Sequence, residues 1–452
     1  MRKKMVLLGA GSSMFTQGLV MDLIRNPVRT TWHLALVDID AEVLESMTRL
    51  VKAMVLAKHA DIEISCSTDR RDVLPGADYI VATIGVGGRR AWEQDVFIPR
   101  KYGVFQSVGD TAMPGGISRA MRMIPALLDI VRDIKALCPH AFFVNYSNPM
   151  TSICRAIRKA TGFPVTGLCI GVADSEWYVA DFAGLERNKV SSLSVGVNHL
   201  TFMYDFRYEG KDAWPLVRQK LAEQYKGEFD SKMLERFVTK ETKGFSKLGE
   251  LFAWSLFQAY GAYPAPGDRH ITEFFTERFP NGKYYGRTLG VDAYSFESTI
   301  EYGDQIHDQM MAQARSDEPL NDEFFRHIHG EHEQIMEIIC SIEEDSRKVF
   351  SVNLPNEGAV RNLPRDAVIE MPAAATSCGF RPLVINDFPD VLAGIISKYL
   401  AVTETTVEAA LKGDRSLFIE AILMGGYLPD RAKVAKMVDD LIAAQQRHLP
   451  QF

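Results

Sequence analysis

Residues 5–11 read MVLLGAG, an apolar run that closes on Gly-x-Gly, and SSMFTQGLVMDLI (12–24) follows it with helical spacing. A buried strand that runs into a tight turn and a helix is how a dinucleotide-binding βαβ unit begins. The third glycine of that fingerprint is missing, and Met14 stands in its place. Downstream, WHLALVDID (32–40), YIVATIG (79–85), AFFVNYS (141–147) and VTGLCIG (165–171) are further short β-branched runs. AEVLESMTRLVKAMVLAK (41–58) between two of them is amphipathic at helical spacing. Apolar strands alternating with helices predict a parallel sheet covered on both faces, with ligands at the carboxyl ends of its strands.

The pattern changes near residue 195. SSLSVGVNHLTFMYDFRYEG (191–210) alternates like antiparallel strands, 214–345 is mostly helical, 351–375 is extended again, and residues 388–452 read as amphipathic helices. There is no repeat, low-complexity tract or Gly/Ser linker. The expected architecture is α/β: a Rossmann-like doubly wound domain over 1–195 and an α+β domain over 196–452 packed on it.

The chain has 452 residues, 46% hydrophobic and 24% charged, enough for a sizeable core. A net charge of −7 carries no footprint for nucleic acid or an anionic membrane. No window of about 20 apolar residues spans a bilayer. The opening MRKKMVLL imitates a secretory signal, but its apolar run meets GAGSS at once; an h-region needs roughly 7–15 apolar residues. Six cysteines (66, 138, 154, 169, 340, 378) without CxxC spacing read as reduced thiols, and the expected compartment is the cytoplasm.

Gly9 and Gly11 allow the backbone to approach a pyrophosphate at a helix N-terminus, Ser12 and Ser13 add hydroxyls, and Asp38 ends the second strand where a ribose hydroxyl pair would lie. An acid there favours NAD over NADP. The same residues also make a strand–helix turn with no ligand, and on their own they leave both readings open.

Residues 95–122, DVFIPRKYGVFQSVGDTAMPGGISRAMR, resemble the signature of glycoside hydrolase family 4, above all its α-galactosidase- and α-galacturonidase-like members. GAGS (9–12), NYSNPM (145–150), GLC (167–169), VGVNHL (195–200), PAPGDRHITEFF (264–275) and VNLPNEGAVRNLPRDAV (352–368) agree in order and spacing. The resemblance implies a lactate/malate dehydrogenase-like fold that hydrolyses glycosides, with NAD as a redox-neutral cofactor and Mn2+ or another divalent transition metal. The sugar is oxidised at C3, deprotonated at C2, loses its aglycone by elimination, and is restored by water and returned hydride. It further implies Cys169 and His199 as metal ligands, and Asn148, Arg90, Arg119, Arg269 and His270 as substrate contacts. The base falls on Asp268, or on Tyr260 or Tyr263. Members of the family are homodimers or homotetramers.

One departure bears on substrate. The motif that begins at the metal cysteine reads Cys-His-Ser-Val in α-galactosidase-like members, whereas here it is Cys169-Ile170-Gly171-Val172. Isoleucine donates no proton, so the acid is absent or has moved, with Asp110, His270 or a water as replacements; Gly171 opens space where serine would stand. Arg89-Arg90 suits an anionic group, which points to a uronide or sulfoquinovoside rather than a plain galactoside. The competing classes are a malate-type NAD-dependent dehydrogenase and a non-catalytic sensor. His327-Ile328-His329-Gly330-Glu331-His332 reads as a solvated helix, not a metal cluster.

Overall fold

The computed structural model describes residues 2–12, 15–25, 31–225, 229–316, 318–328 and 334–452. The expected strands form as β1 (Lys3–Leu8), β2 (Trp32–Val37), β3 (Ile62–Ser67), β4 (Tyr79–Ala82), β5 (Phe142–Asn145) and β6 (Thr166–Gly167). β3, IEISCS, was not anticipated: it is an edge strand, half exposed, and lacks the apolar run that marks its neighbours. All five pairings are parallel, in the order β3-β2-β1-β4-β5-β6. That is the doubly wound order whose switch point lies between β1 and β4. The 41–58 stretch is the helix Ala41–Ala57, capped by the Asp40 carboxylate.

Apart from the small ribbon Lys283–Tyr284/Arg287–Thr288, the strands of the second half join the same sheet. β7 (Val190–Val197) and β8 (Leu200–Tyr208) make the expected antiparallel hairpin, and the strands Val349–Pro355 and Val368–Thr376 join it to β6. The strand Tyr263–Ala265 closes the far edge on β8. The boundary expected at 195 therefore falls inside β7. Helices Asp390–Lys412, Arg415–Gly425 and Arg431–Gln445 complete the C-terminal part as expected. Among the described residues no helix is long and apolar enough to cross a membrane.

One row of paired residues crosses the joined sheet: Ala265, Thr201, Gly196, Glu370, Asn353, Gly167, Asn145, Ala82, Leu8, Val37 and Ser67. Directly paired residues point to the same face. The row thus brings Thr201, Glu370, Asn353 and Asn145 together inside the protein, all at most 1% exposed.

The site loop is anchored from below by a buried ion pair. Helix Gly88–Lys101 contributes Asp95 and helix Met113–Leu137 contributes Arg122, which donates from both terminal nitrogens at 2.9 and 2.5 Å. Gln106 Nε2 donates to the Asp95 carbonyl, and the Gly115 amide donates to Gln106 Oε1. Arg122→Met would strand a carboxylate that burial already pushes above its usual range. The expected cost is about 3–5 kcal/mol, read as a lower urea midpoint; an unchanged midpoint would show that the pair contributes nothing net.

Candidate active site

The sequence GDTAMPGG places one carboxylate. A side chain on Gly116 would meet the Thr111 carbonyl carbon at 2.3 Å, and one on Gly115 would meet the Gly109 and Asp95 carbonyl oxygens at 2.8 Å. Only glycines let the helix Met113–Leu137 begin against the loop 109–111, and that packing aims Asp110 inward. From the other side, Glu273 accepts the Val108 and Gly109 amides at 2.7 and 2.9 Å. Sequence reasoning missed Glu273; the signal was a lone acid just before the aromatic pair Phe274-Phe275.

Around Asp110 the chain brings together four segments. Thr111 Oγ1 donates to Asp110 Oδ1 at 2.8 Å, and Asn148 Nδ2, just beyond β5, donates to Oδ2 at 2.9 Å. His199 Nδ1 lies 2.8 Å from Thr111 Oγ1 and 3.6 Å from Asp110. Thr111 has a single hydroxyl proton, so when it serves Asp110, His199 Nδ1 is the donor to Thr111. The lone pair of the neutral ring then sits on Nε2, free for a metal. His199 occupies the two-residue turn of the β7–β8 hairpin at φ 68°, a backbone region costly for a side chain of its size.

His270, on the short helix Asp268–Ile271, packs on His199 with ring centroids 4.2 Å apart. Ligand atoms of Asp110, His199 and His270 all lie within 4.8 Å of one another. Burial, with His199 beside it, holds the His270 imidazole well below the usual histidine range. Burial alone would raise Asp110; the hydrogen bond with His199 and the charge of Arg119 outweigh it and hold the carboxyl below its usual range. The Asn148 Oδ1 and Arg269 Nε atoms are buried without a partner. Two imidazoles, a carboxylate and an orphaned amide oxygen suit a divalent transition ion with a bound hydroxyl.

The other expected residues are placed as follows. Cys169 is not in the group of three; its Sγ accepts the Gly171 amide at 3.4 Å, at the start of the helix Gly171–Ala183. Gly171 does not open space, because a side chain there would meet Pro266 at 2.9 Å. Arg119 Nε donates to the Asn148 carbonyl at 3.0 Å, facing Asp110. Arg269 reaches the Thr299 hydroxyl at 3.3 Å. Arg90 does not reach the site as a free cation: it pairs with Glu93 and Asp304, and Arg89 pairs with the same Asp304, each at 2.5 Å. That neutralisation removes the Arg89-Arg90 basis for an anionic substrate.

None of the three base candidates belongs to the group of three. Asp268 is fully buried and accepts the Phe252 and Ala253 amides at 2.8 and 2.7 Å and the Tyr284 hydroxyl at 2.5 Å. It thereby caps the helix Leu251–Tyr260 from outside. Tyr263 packs against Tyr178 and Trp254, and Tyr260 is half buried at that helix's end. In the nucleotide turn, Gly9 follows β1 at φ 91° beside the end of β4, at the switch point. Asp38 Oδ2 accepts the Gly11 amide at 2.8 Å, and Ser12 Oγ accepts the Phe15 amide at 3.4 Å. Ser13 lies outside the described residues, as does most of the histidine segment 327–332.

This geometry has relatives. The family 4 glycosyl hydrolase model matches residues 4–184, and the model of that family's C-terminal domain matches 194–425. The chain belongs to family 4 of the glycosyl hydrolases. As a family 4 glycosidase it is 28% identical over 462 residues to an α-glucosidase of Erwinia rhapontici, covering 99% of this chain and 98% of the relative. It is 30% identical over 464 residues to an α-galactosidase of Rhizobium meliloti, covering 99% and 89%. The structure of a 6-phospho-α-glucosidase from gut microorganisms, in complex with NAD and Mn2+, covers 100% of both chains with a TM-score of 0.83 at 18% identity. A Cryptosporidium parvum malate dehydrogenase covers 91% of this chain and 99% of its own with a TM-score of 0.53 at 14% identity. The fold is that of the lactate/malate dehydrogenases, as expected.

Burial, with Asp268 beside it, pushes the Glu250 carboxyl up, and burial pushes that of Glu273 up to about 8. A carboxyl raised on folding binds its proton more tightly in the native state, so stability falls as pH rises from the unfolded value through the folded one. The unfolding midpoint is expected to be higher at pH 5 than at pH 8.5, and Glu250→Gln should flatten that fall. A pH-independent midpoint in the native chain would show that these carboxyls are ionised throughout.

Proposed function

We propose that this family 4 enzyme hydrolyses α-glycosides with NAD and a divalent transition metal, Mn2+ first, by transient oxidation of the sugar. The observation that carries the reading is the convergence of Asp110, His199 and His270 beside Asn148, whose Oδ1 is buried and unpartnered. Asp110, His199 and His270 would hold the metal, with Cys169 the further ligand that the family likeness implies. Gly9, Gly11, Ser12, Ser13 and Asp38 would hold NAD at the switch point. When bound, NAD supplies a reversible hydride acceptor for C3, and the metal supplies a Lewis acid for the hydroxyls at C2 and C3.

The chain's own groups do the rest. Asn148 Oδ1 accepts a sugar hydroxyl while its amide stays on Asp110, which fixes the ring against the Asp110 carboxylate. Oxidation at C3 acidifies the C2 proton, and a base from the segment 260–268 removes it. Asp268 takes that proton only by giving up the Phe252, Ala253 and Tyr284 donors that hold it. Ile170 gives no proton to the leaving oxygen, and with Asp110 held ionised and His270 held neutral that transfer is left to water. The sugar is an α-galactoside or carries an anionic group. The second option rests on Arg269, which among the described residues has no carboxylate partner at ion-pair distance. Burial pushes the nearby Glu273 carboxyl up, which weakens it as a counter-charge, and leaves Asp110 as the carboxylate that Arg269 feels across the site. The six cysteines form no disulfide, in keeping with a cytoplasmic enzyme, and the family likeness favours a homodimer or homotetramer.

The test is turnover of α- and β-glycosides in D2O with NAD, Mn2+ and reductant, followed by NMR. Free sugar with deuterium at C2 and no net NADH is the expected outcome. Stoichiometric NADH without cleavage would instead identify a malate-type dehydrogenase. For substrate, Arg269→Gln is expected to lower kcat/KM on an α-uronide about 10–100-fold, the weight of a charge-assisted hydrogen bond of about 1.5–3 kcal/mol. The matched neutral galactoside should change less than about threefold. Equal losses on both would remove the anionic reading.

A further inference from the structure

Glu370 lies in the middle of the strand Val368–Thr376, in the row that crosses the sheet, and is 1% exposed. Its neighbours in that row are Gly196 on one side and Asn353 on the other. Glycine at 196 leaves the Glu370 side chain room to reach past β7 to the far arm of the hairpin. There the Thr201 hydroxyl, shared with the Val197 carbonyl at 3.1 Å, lies 3.0 Å from Glu370 Oε2, and Asn198 Nδ2 approaches the same oxygen at 3.5 Å. Asn198 and Thr201 bracket His199. The carboxyl therefore grips both ends of the turn that holds His199 in its left-handed conformation. Thr151 Oγ1, on the helix Met150–Thr161, accepts the Asn198 amide at 3.0 Å and closes the grip from above.

A buried carboxyl in mid-strand is costly and does nothing for packing that a leucine would not do better. Asn198 Oδ1 is a buried acceptor without a donor, and the Glu370 carboxyl also faces the Asn353 side chain across the row. A core optimised only for stability would not keep such a polar cluster. The Asp110–His199–His270 geometry depends on a turn residue at φ 68°, which relaxes unless its flanks are held.

We propose that Glu370 is a positioning residue of the metal site, acting through Asn198 and Thr201 to lock the His199 turn. The proposal rests on the reading of His199 as a metal ligand. Glutamine keeps the length of the side chain and the oxygen that Thr201 and Asn198 meet, which makes it the close mimic and alanine the disruptive change.

The experiment is Mn2+ binding to the full-length, NAD-free and metal-free chain, with free Mn2+ read by electron paramagnetic resonance. Glu370→Ala is expected to raise the Mn2+ Kd about 10–100-fold, the usual effect of removing a group that orients a ligand. Glu370→Gln should raise it less than about threefold, with the metal-free melting temperature close to that of the native chain. An unchanged Kd in folded Glu370→Ala overturns the proposal. If that variant does not fold, Thr201→Val deletes the hydroxyl and keeps the shape, and an unchanged Kd there overturns it equally. His199→Ala separates the two readings. It should abolish binding; if it does not, or if the native chain binds no Mn2+, the metal reading fails and this proposal falls with it.

Discussion

Asp110 is a partly enclosed carboxylate with three segments drawn to it, and the site exists because that charge must be satisfied. Thr111 comes from its own loop, Asn148 from beyond β5, and His199 from the hairpin turn in the second half. A carboxylate taken out of water without donors is strongly unfavourable. Each partner that answers it is thereby fixed in place. The loop has its own supports, Glu273 above and the Asp95–Arg122 pair below.

The joined sheet explains how remote segments meet at this carboxylate. The parallel half ends its strands at the switch point, where a dinucleotide belongs. The antiparallel half extends the same sheet and carries His199 at a hairpin turn near the same level, since Gly196, Glu370, Asn353 and Asn145 share one row with the ends of β4 and β1. A dehydrogenase-like scaffold can therefore host glycoside chemistry without a new layer. The hairpin and the segment 260–275 supply what a hydride-transfer site alone lacks.

Much of the fold was legible because its signals are local. The runs at 5–11, 32–40, 79–85 and 141–147 are apolar and β-branched, and each became a strand of the parallel half. β3 escaped because an edge strand buries only part of its surface. The site was legible in part. His199, His270, Asn148 and Arg119, which the family likeness singles out, stand at or beside one cluster with Asp110. Asp268 and Arg90 were read from the family likeness, and likeness does not reveal partners: Asp268 caps a helix that lies before it in sequence, and Arg90 meets Asp304 across more than two hundred residues. Gly171 was read as vacancy, yet Pro266, distant in sequence, fills the space.

What the sequence determined by itself was the parallel strand order's raw material, the nucleotide turn, the hairpin and the family, because each depends on neighbours within one or two elements. Only the tertiary structure decided which acids are free and which are held, that Glu273 and Glu370 support the site from behind, and that two halves share a single sheet. Those outcomes depend on burial and on partners far along the chain. A carboxylate's role follows from the donors around it, and those donors are assembled only when the chain folds.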